Sequence, residues 1–104
     1  MRDGIIVLRY AFRESVQNEP QNQVLVVVPK KRVRKAVDRN KLKRQIREIY
    51  RLNKQTKKID VPQGKTLLLA IIYSGKPEAE YAQLENCYLK AGVKMAKELT
   101  RSAD

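Results

Sequence analysis

The stretch Asp38-Arg39-Asn40-Lys41-Leu42-Lys43-Arg44-Gln45-Ile46-Arg47-Glu48-Ile49-Tyr50 decides how this chain is read. Leu42, Ile46, Ile49 and Tyr50 fall at i, i+4, i+7 and i+8, the spacing of one helical stripe. A helix is predicted from Asp38, as N-cap, to about Asn53. At 100° per residue, with Leu42 at 0°, the apolar side chains occupy about −20° to 80°. Lys43, Arg47, Asn40, Arg51 and Arg44 fill the adjoining arc of about 100° to 200°. Lys41, Gln45 and Glu48 take the remaining side. One helix therefore carries a core face, a cationic face and an outer face.

The flanks supply the sheet. Val24 to Val28 is a β-branched run closed by Pro29, and Ile5 to Phe12 is apolar with Arg9 inside it. Both are predicted as strands. The polar stretch Glu14 to Asn22, with Pro20 inside it, is long enough to connect them antiparallel. Beyond the helix, Lys54 to Gly64 is a polar connection. Thr66 to Tyr73 is a nearly continuous apolar run of strand length, predicted to be buried on both faces or central in the sheet. Ser74 to Pro77 supplies turn and first-turn residues. Tyr81, Leu84, Tyr88, Ala91, Met95 and Leu99 then recur at three- and four-residue steps along a long amphipathic helix. The predicted order is β-β-α-β-α, one α/β domain of the α+β sandwich kind over residues 1–104, with no repeat or linker.

Charge narrows the function. The chain has 104 residues, with 23 Lys and Arg against 11 Asp and Glu, a net charge of +12. Lys30 to Lys58 carries fourteen basic residues against only Asp38 and Glu48, so this segment holds the whole excess. The rest of the chain is balanced. A single cationic zone on a neutral domain is the electrostatic footprint of a polyanion partner, whereas a surface kept basic for solubility mixes both signs. At 42% hydrophobic and 33% charged, the chain is too apolar for a disordered polycation and too charged for a membrane protein. Its longest apolar run, Leu67 to Tyr73, is far short of the roughly 20 residues that span a bilayer. Gly4 to Leu8 followed by Arg9 is too short for a signal-peptide core. The lone cysteine, Cys87, suits a reducing cytosol, so a cytoplasmic protein is expected. Cys87 receives no role.

Catalysis by the protein itself is disfavoured. The chain has no histidine, the commonest general base and metal ligand. Its acids are scattered, where a metal-dependent nuclease needs them clustered.

The run Ala36 to Glu48 resembles the signature helix of the bacterial ribonuclease P protein component. That pattern, R-N-x-x-K-R-x-x-R, is met by Arg39, Asn40, Lys43, Arg44 and Arg47. Val26-Val27-Val28-Pro29-Lys30-Lys31 is similar to the family's strand followed by a Lys-Lys pair, and the likeness extends over most of residues 5 to 99. It implies a ribosomal-protein-like sandwich with a sheet of about four strands and a left-handed βαβ crossover, against the usual right-handed rule. It implies a non-catalytic subunit whose RNA partner removes the 5′ leader of precursor tRNA, with Mg²⁺ bound mainly by that RNA and none by the protein alone. RNA contacts would come from Lys30, Lys31, Arg39, Asn40, Lys43, Arg44, Arg47 and Arg51. Tyr10 and Phe12 share one strand face, and one of them would match the family aromatic that touches the leader; core packing is an equal alternative for each. Tyr81 and Tyr88 belong to the helix stripe and are expected in the core. No protein partner and no membrane are implied.

Two departures stand out. Val33 and Arg34 occupy the turn where the family usually has a glycine. The given sequence also opens almost directly on its first strand, where the family has an aromatic-bearing helix, so a chain starting here would be expected to lack part of the binding cleft that the resemblance implies. The competing reading is a generic basic RNA- or DNA-binding module, for instance ribosome-associated. Such a module needs positive charge but not an Asn at that spacing. A third reading is a folded but impaired family member.

Overall fold

The computed structural model describes residues 2–16, 22–53, 61 and 63–102. Most of the predicted connections Glu14–Asn22 and Lys54–Gly64 lies outside these residues, as do Lys54, Lys57 and Lys58 of the basic zone.

The elements in chain order are β1 (Arg2–Asp3), β2 (Ile6–Glu14), β3 (Asn22–Val27), α1 (Ala36–Leu52), β4 (Lys65–Tyr73) and α2 (Tyr81–Ser102). β1 folds back on β2 through a two-residue turn, pairing Asp3 with Ile6, and Gly4 makes that turn at φ +52°. The sheet order is β1-β2-β4-β3, with β4 antiparallel to β2 and parallel to β3.

The predicted antiparallel connection is therefore not between neighbours. β2 and β3 run in opposite directions, yet β4 lies between them and pairs with both. Its alternation explains the choice: Leu67, Leu69, Ile71 and Tyr73 are buried, while Leu68, Ala70 and Ile72 are half-buried. A strand apolar on both sides belongs in the sheet centre rather than at an edge. Of the two placements predicted for it, the central one holds.

Register sets the core in rows: Leu8 pairs with Ile71 and Val26 lies beyond it, while Ile6 pairs with Tyr73. Leu42, Ile46 and Ile49 of α1 and Leu84, Tyr88, Ala91 and Met95 of α2 join this cluster. Both helices thus cover the same sheet face, α2 packing over β2 and α1 over β3. The opposite face, with Arg9, Ala11 and Leu25, has no described element over it. Leu25 is 61% exposed there.

Two helix starts differ from expectation. α1 begins with Lys35 in the N-cap position and no side-chain cap bond. Asp38 is no cap; it sits in the first turn, where its carboxylate still meets the positive end of the helix. The chain is anchored just before this start by Val33, wholly buried in the core, so burial rather than a cap fixes it. At its other end Asn53 closes α1, with its backbone N–H and its side-chain Nδ2 both donating to the Ile49 carbonyl at 3.0 and 2.8 Å. Pro77 is not in the first turn of α2; it lies in the turn before a helix that starts at Tyr81.

The buried Tyr73 hydroxyl donates to the Lys76 carbonyl and so fastens this turn to the sheet. Gly75 is required beside it, since a Cβ there would stand 2.6 Å from the Tyr73 hydroxyl. Burial pushes the Tyr73 phenol above its ordinary value, and nearby Arg32 offsets part of that. A raised phenol favours the folded state below its unfolded value of about 10. That stability is lost as pH rises further. Thermal stability should thus fall above about pH 10 more steeply in the native chain than in Tyr73→Phe. Parallel pH profiles would contradict this role.

Candidate nucleic-acid interface

Helical spacing and burial together place the cationic residues of α1. Asn40, Arg44, Arg47 and Arg51 are exposed, and Lys43, nearest the core face, is half-buried. They run side by side along about 16 Å of helix. The core face next to them is sealed, with Leu42, Ile46 and Ile49 no more than 3% exposed. The strip thus rides on a rigid element while its polar atoms stay accessible.

Its charge is little neutralised. Among the described residues, Lys43, Arg44 and Arg47 form no ion pair or side-chain hydrogen bond. Arg51 lies 3.9 Å from Glu48 with both side chains well exposed, a weak pair that draws little from the strip. Guanidinium groups in a fixed row suit bidentate contact with phosphate oxygens, and Asn40 can donate or accept at a sugar or base edge.

The remaining sequence-predicted residues divide. Lys30 and Lys31 are exposed in the turn after β3, beside the start of α1. Arg39 is different: it is half-buried, and its Nη1 donates to the Val33 and Arg34 carbonyls at 3.0 and 2.7 Å. The helical wheel already carries that signal, for Arg39 falls about 60° from Leu42, inside the apolar arc. Tyr10 is half-buried against the core, and Phe12 is 37% exposed; their rings meet edge-on at 6.2 Å. α2 packs over β2, the strand that carries this aromatic pair, and α1 over β3. Tyr88 is buried and Tyr81 half-buried on the core side, as the α2 stripe predicts. Burial raises the phenol of Tyr81, with Glu48 and Glu85 adding to it.

Sequence reasoning counts Arg32, Arg34 and Lys35 in the basic zone but does not name them among the RNA contacts. With Lys31 they line a hollow of about 400 Å³ between the turn before α1 and the Pro77–Glu78 turn. The density of basic residues is the signal that could have found them. Asp38 and Glu78 line the same hollow, and two carboxylates make it a poorer phosphate site than the open strip.

No group of three or more His, Cys, Asp or Glu able to hold a metal exists among the described residues. No helix among them is long and apolar enough to cross a membrane.

The family model for Ribonuclease P matches residues 2–97. The ribonuclease P protein component of Chlorobaculum tepidum is 36% identical over 86 residues, covering 76% of this chain and 56% of the relative's length. That of Porphyromonas gingivalis is 33% identical over 99 residues, covering 92% of this chain and 72% of the relative. A solved structure, the RNase P protein from Thermotoga maritima in complex with 1-(4-fluorophenyl)-2-thiourea, superposes with a TM-score of 0.59. Its sequence identity is 28%, over 86% of this chain and 78% of that one. This chain spans little more than half the length of the Chlorobaculum relative.

Proposed function

The chain belongs to the Ribonuclease P protein family, and on that premise we propose that it is the RNA-binding subunit of a bacterial ribonuclease P. In this reading it binds the catalytic RNA and the 5′ leader of precursor tRNA in the cytoplasm. Removal of the leader is RNA-catalysed and magnesium-dependent, with the metal held by the RNA. The protein's contribution is to neutralise phosphates and fix the geometry of the RNA around the cleavage point.

The observation that carries this reading is the strip Asn40, Lys43, Arg44 and Arg47, accessible on one side of a helix whose other side is core. A generic basic module would need the charge without an Asn in that register.

Reconstitution with a bacterial ribonuclease P RNA at low Mg²⁺ tests it. Adding the protein should raise cleavage of precursor tRNA well above the rate of RNA alone. Binding without any stimulation would instead favour the generic module.

The leader contact is assigned to the Tyr10–Phe12 pair, and chiefly to Phe12, the more exposed ring. Phe12→Ala should weaken binding of leader-bearing tRNA by about 1–3 kcal/mol and leave mature tRNA unaffected, as removal of one stacked base requires. Equal losses for both ligands would show damage to the fold instead.

A further inference from the structure

We propose that Arg39 is a positioning residue, which holds the basic turn Lys30–Lys35 against the start of α1 so that turn and helix present their cations as one preformed surface. The functional half of this inference rests on the RNA-binding reading above; the structural half does not.

The turn is built from both ends. Arg32 and Val33 donate their backbone N–H groups to the Pro29 carbonyl at 3.0 and 3.1 Å, which closes the first half. Val33 then plugs the core with 0% exposure. Past Val33 the chain has no side-chain cap at Lys35 to hold it. Arg39 supplies the missing restraint from one turn further along the helix. Both hydrogens of its Nη1 are used by the Val33 and Arg34 carbonyls. Such charge-assisted bonds are stronger than neutral ones.

The consequence concerns Lys31, Arg32, Arg34 and Lys35, which are all exposed on the segment so held. Cations on a loose loop must be ordered when they meet a polyanion, and that ordering opposes binding. Fixed in advance, they add to affinity at less entropic loss. Arg39 differs from Arg44 and Arg47 in this respect. They are exposed and offer their guanidinium groups outward, whereas Arg39 is half-buried with one nitrogen fully engaged by the backbone.

Trypsin provides the first test, since Lys30, Lys31, Arg32, Arg34 and Lys35 are all potential cleavage sites. In the free protein, Arg39→Ala should speed cleavage within this turn by about tenfold, the scale of local opening when charge-assisted bonds are removed. Cleavage after Lys90, inside α2, should not change and serves as the control for global stability. Should Arg39→Ala fail to fold, Arg39→Gln, whose side chain is too short to reach both carbonyls, takes its place. An unchanged turn cleavage rate overturns the proposal whatever RNA binding shows.

The second test is a double-substitution cycle on affinity for ribonuclease P RNA, using Arg39→Ala and Lys31→Ala. Positioning predicts that the two fold-losses do not multiply, because Lys31 contributes less once the turn is loose. Independent phosphate contacts would multiply, and that result overturns the proposal. If neither substitution alters RNA affinity while turn cleavage still accelerates, the clamp stands, and the RNA-binding reading of the turn and the preformed surface proposed for it fail.

Discussion

Ile46→Ala should destabilise the protein by about 2–5 kcal/mol, the range for emptying a closed aliphatic site. Ile46 is 1% exposed and belongs to the core cluster that joins α1, α2 and the sheet. A domain of this size has roughly 5–15 kcal/mol in all. The variant should therefore melt far below the native chain, and its urea midpoint should fall in proportion. Arg47 is its immediate neighbour in sequence but projects from the cationic side. Arg47→Ala should change stability by no more than about 0.5 kcal/mol, as for other surface positions without buried partners. Urea titration of both variants checks the pair. Similar losses at 46 and 47 would mean that the two sides of α1 are not divided as described.

The complementary effect is on RNA. Arg44→Ala combined with Arg47→Ala should lower affinity for ribonuclease P RNA by about a hundredfold at moderate salt, one decade for each charge-assisted bond to phosphate that is removed. The salt dependence should flatten at the same time. On single-stranded RNA, each phosphate left without its cation reduces the log–log slope by roughly 0.7, so the pair should reduce it by about 1.4. Affinity should fall alike across RNA sequences, because phosphate contacts position the protein without reading bases. Asn40→Ala, by contrast, should leave the slope unchanged, since it removes no charge. A double variant with reduced affinity but the native slope would point to altered shape rather than to missing ion pairs.

These two results concern adjacent sides of one helix, and that division is legible in the sequence. Leu42, Ile46 and Ile49 announce the core side by spacing alone, and the strip Asn40–Arg51 follows from the same rotation. Local patterns of this kind survive folding because they are what the fold is built from.

Pairing between distant strands is another matter. Nothing in Ile5–Phe12 or Val24–Val28 says that β4, some forty residues later, enters between them. Only the doubly apolar character of Thr66–Tyr73 hints at a central position. The start of α1 differs from its sequence reading for a related reason. Asp38 looks like a cap, but the buried Val33 and the Arg39 guanidinium fix the chain earlier. Both restraints are tertiary. The orientation of Tyr10 and Phe12 is equally hidden, since period-two alternation gives a shared side without saying which helix covers it.

Family membership rests on the match over residues 2–97 and on relatives above 30% identity. The RNA-binding role proposed for the chain rests on the strip. The most direct measurement places a photo-crosslinking amino acid at Arg44, Arg47, Lys41 or Glu48 in turn and irradiates each variant with ribonuclease P RNA. Crosslinks should form from positions 44 and 47 and be much weaker from 41 and 48, on the outer side of the same helix. Equal yields around the helix, or a preference for 41 and 48, would contradict the account.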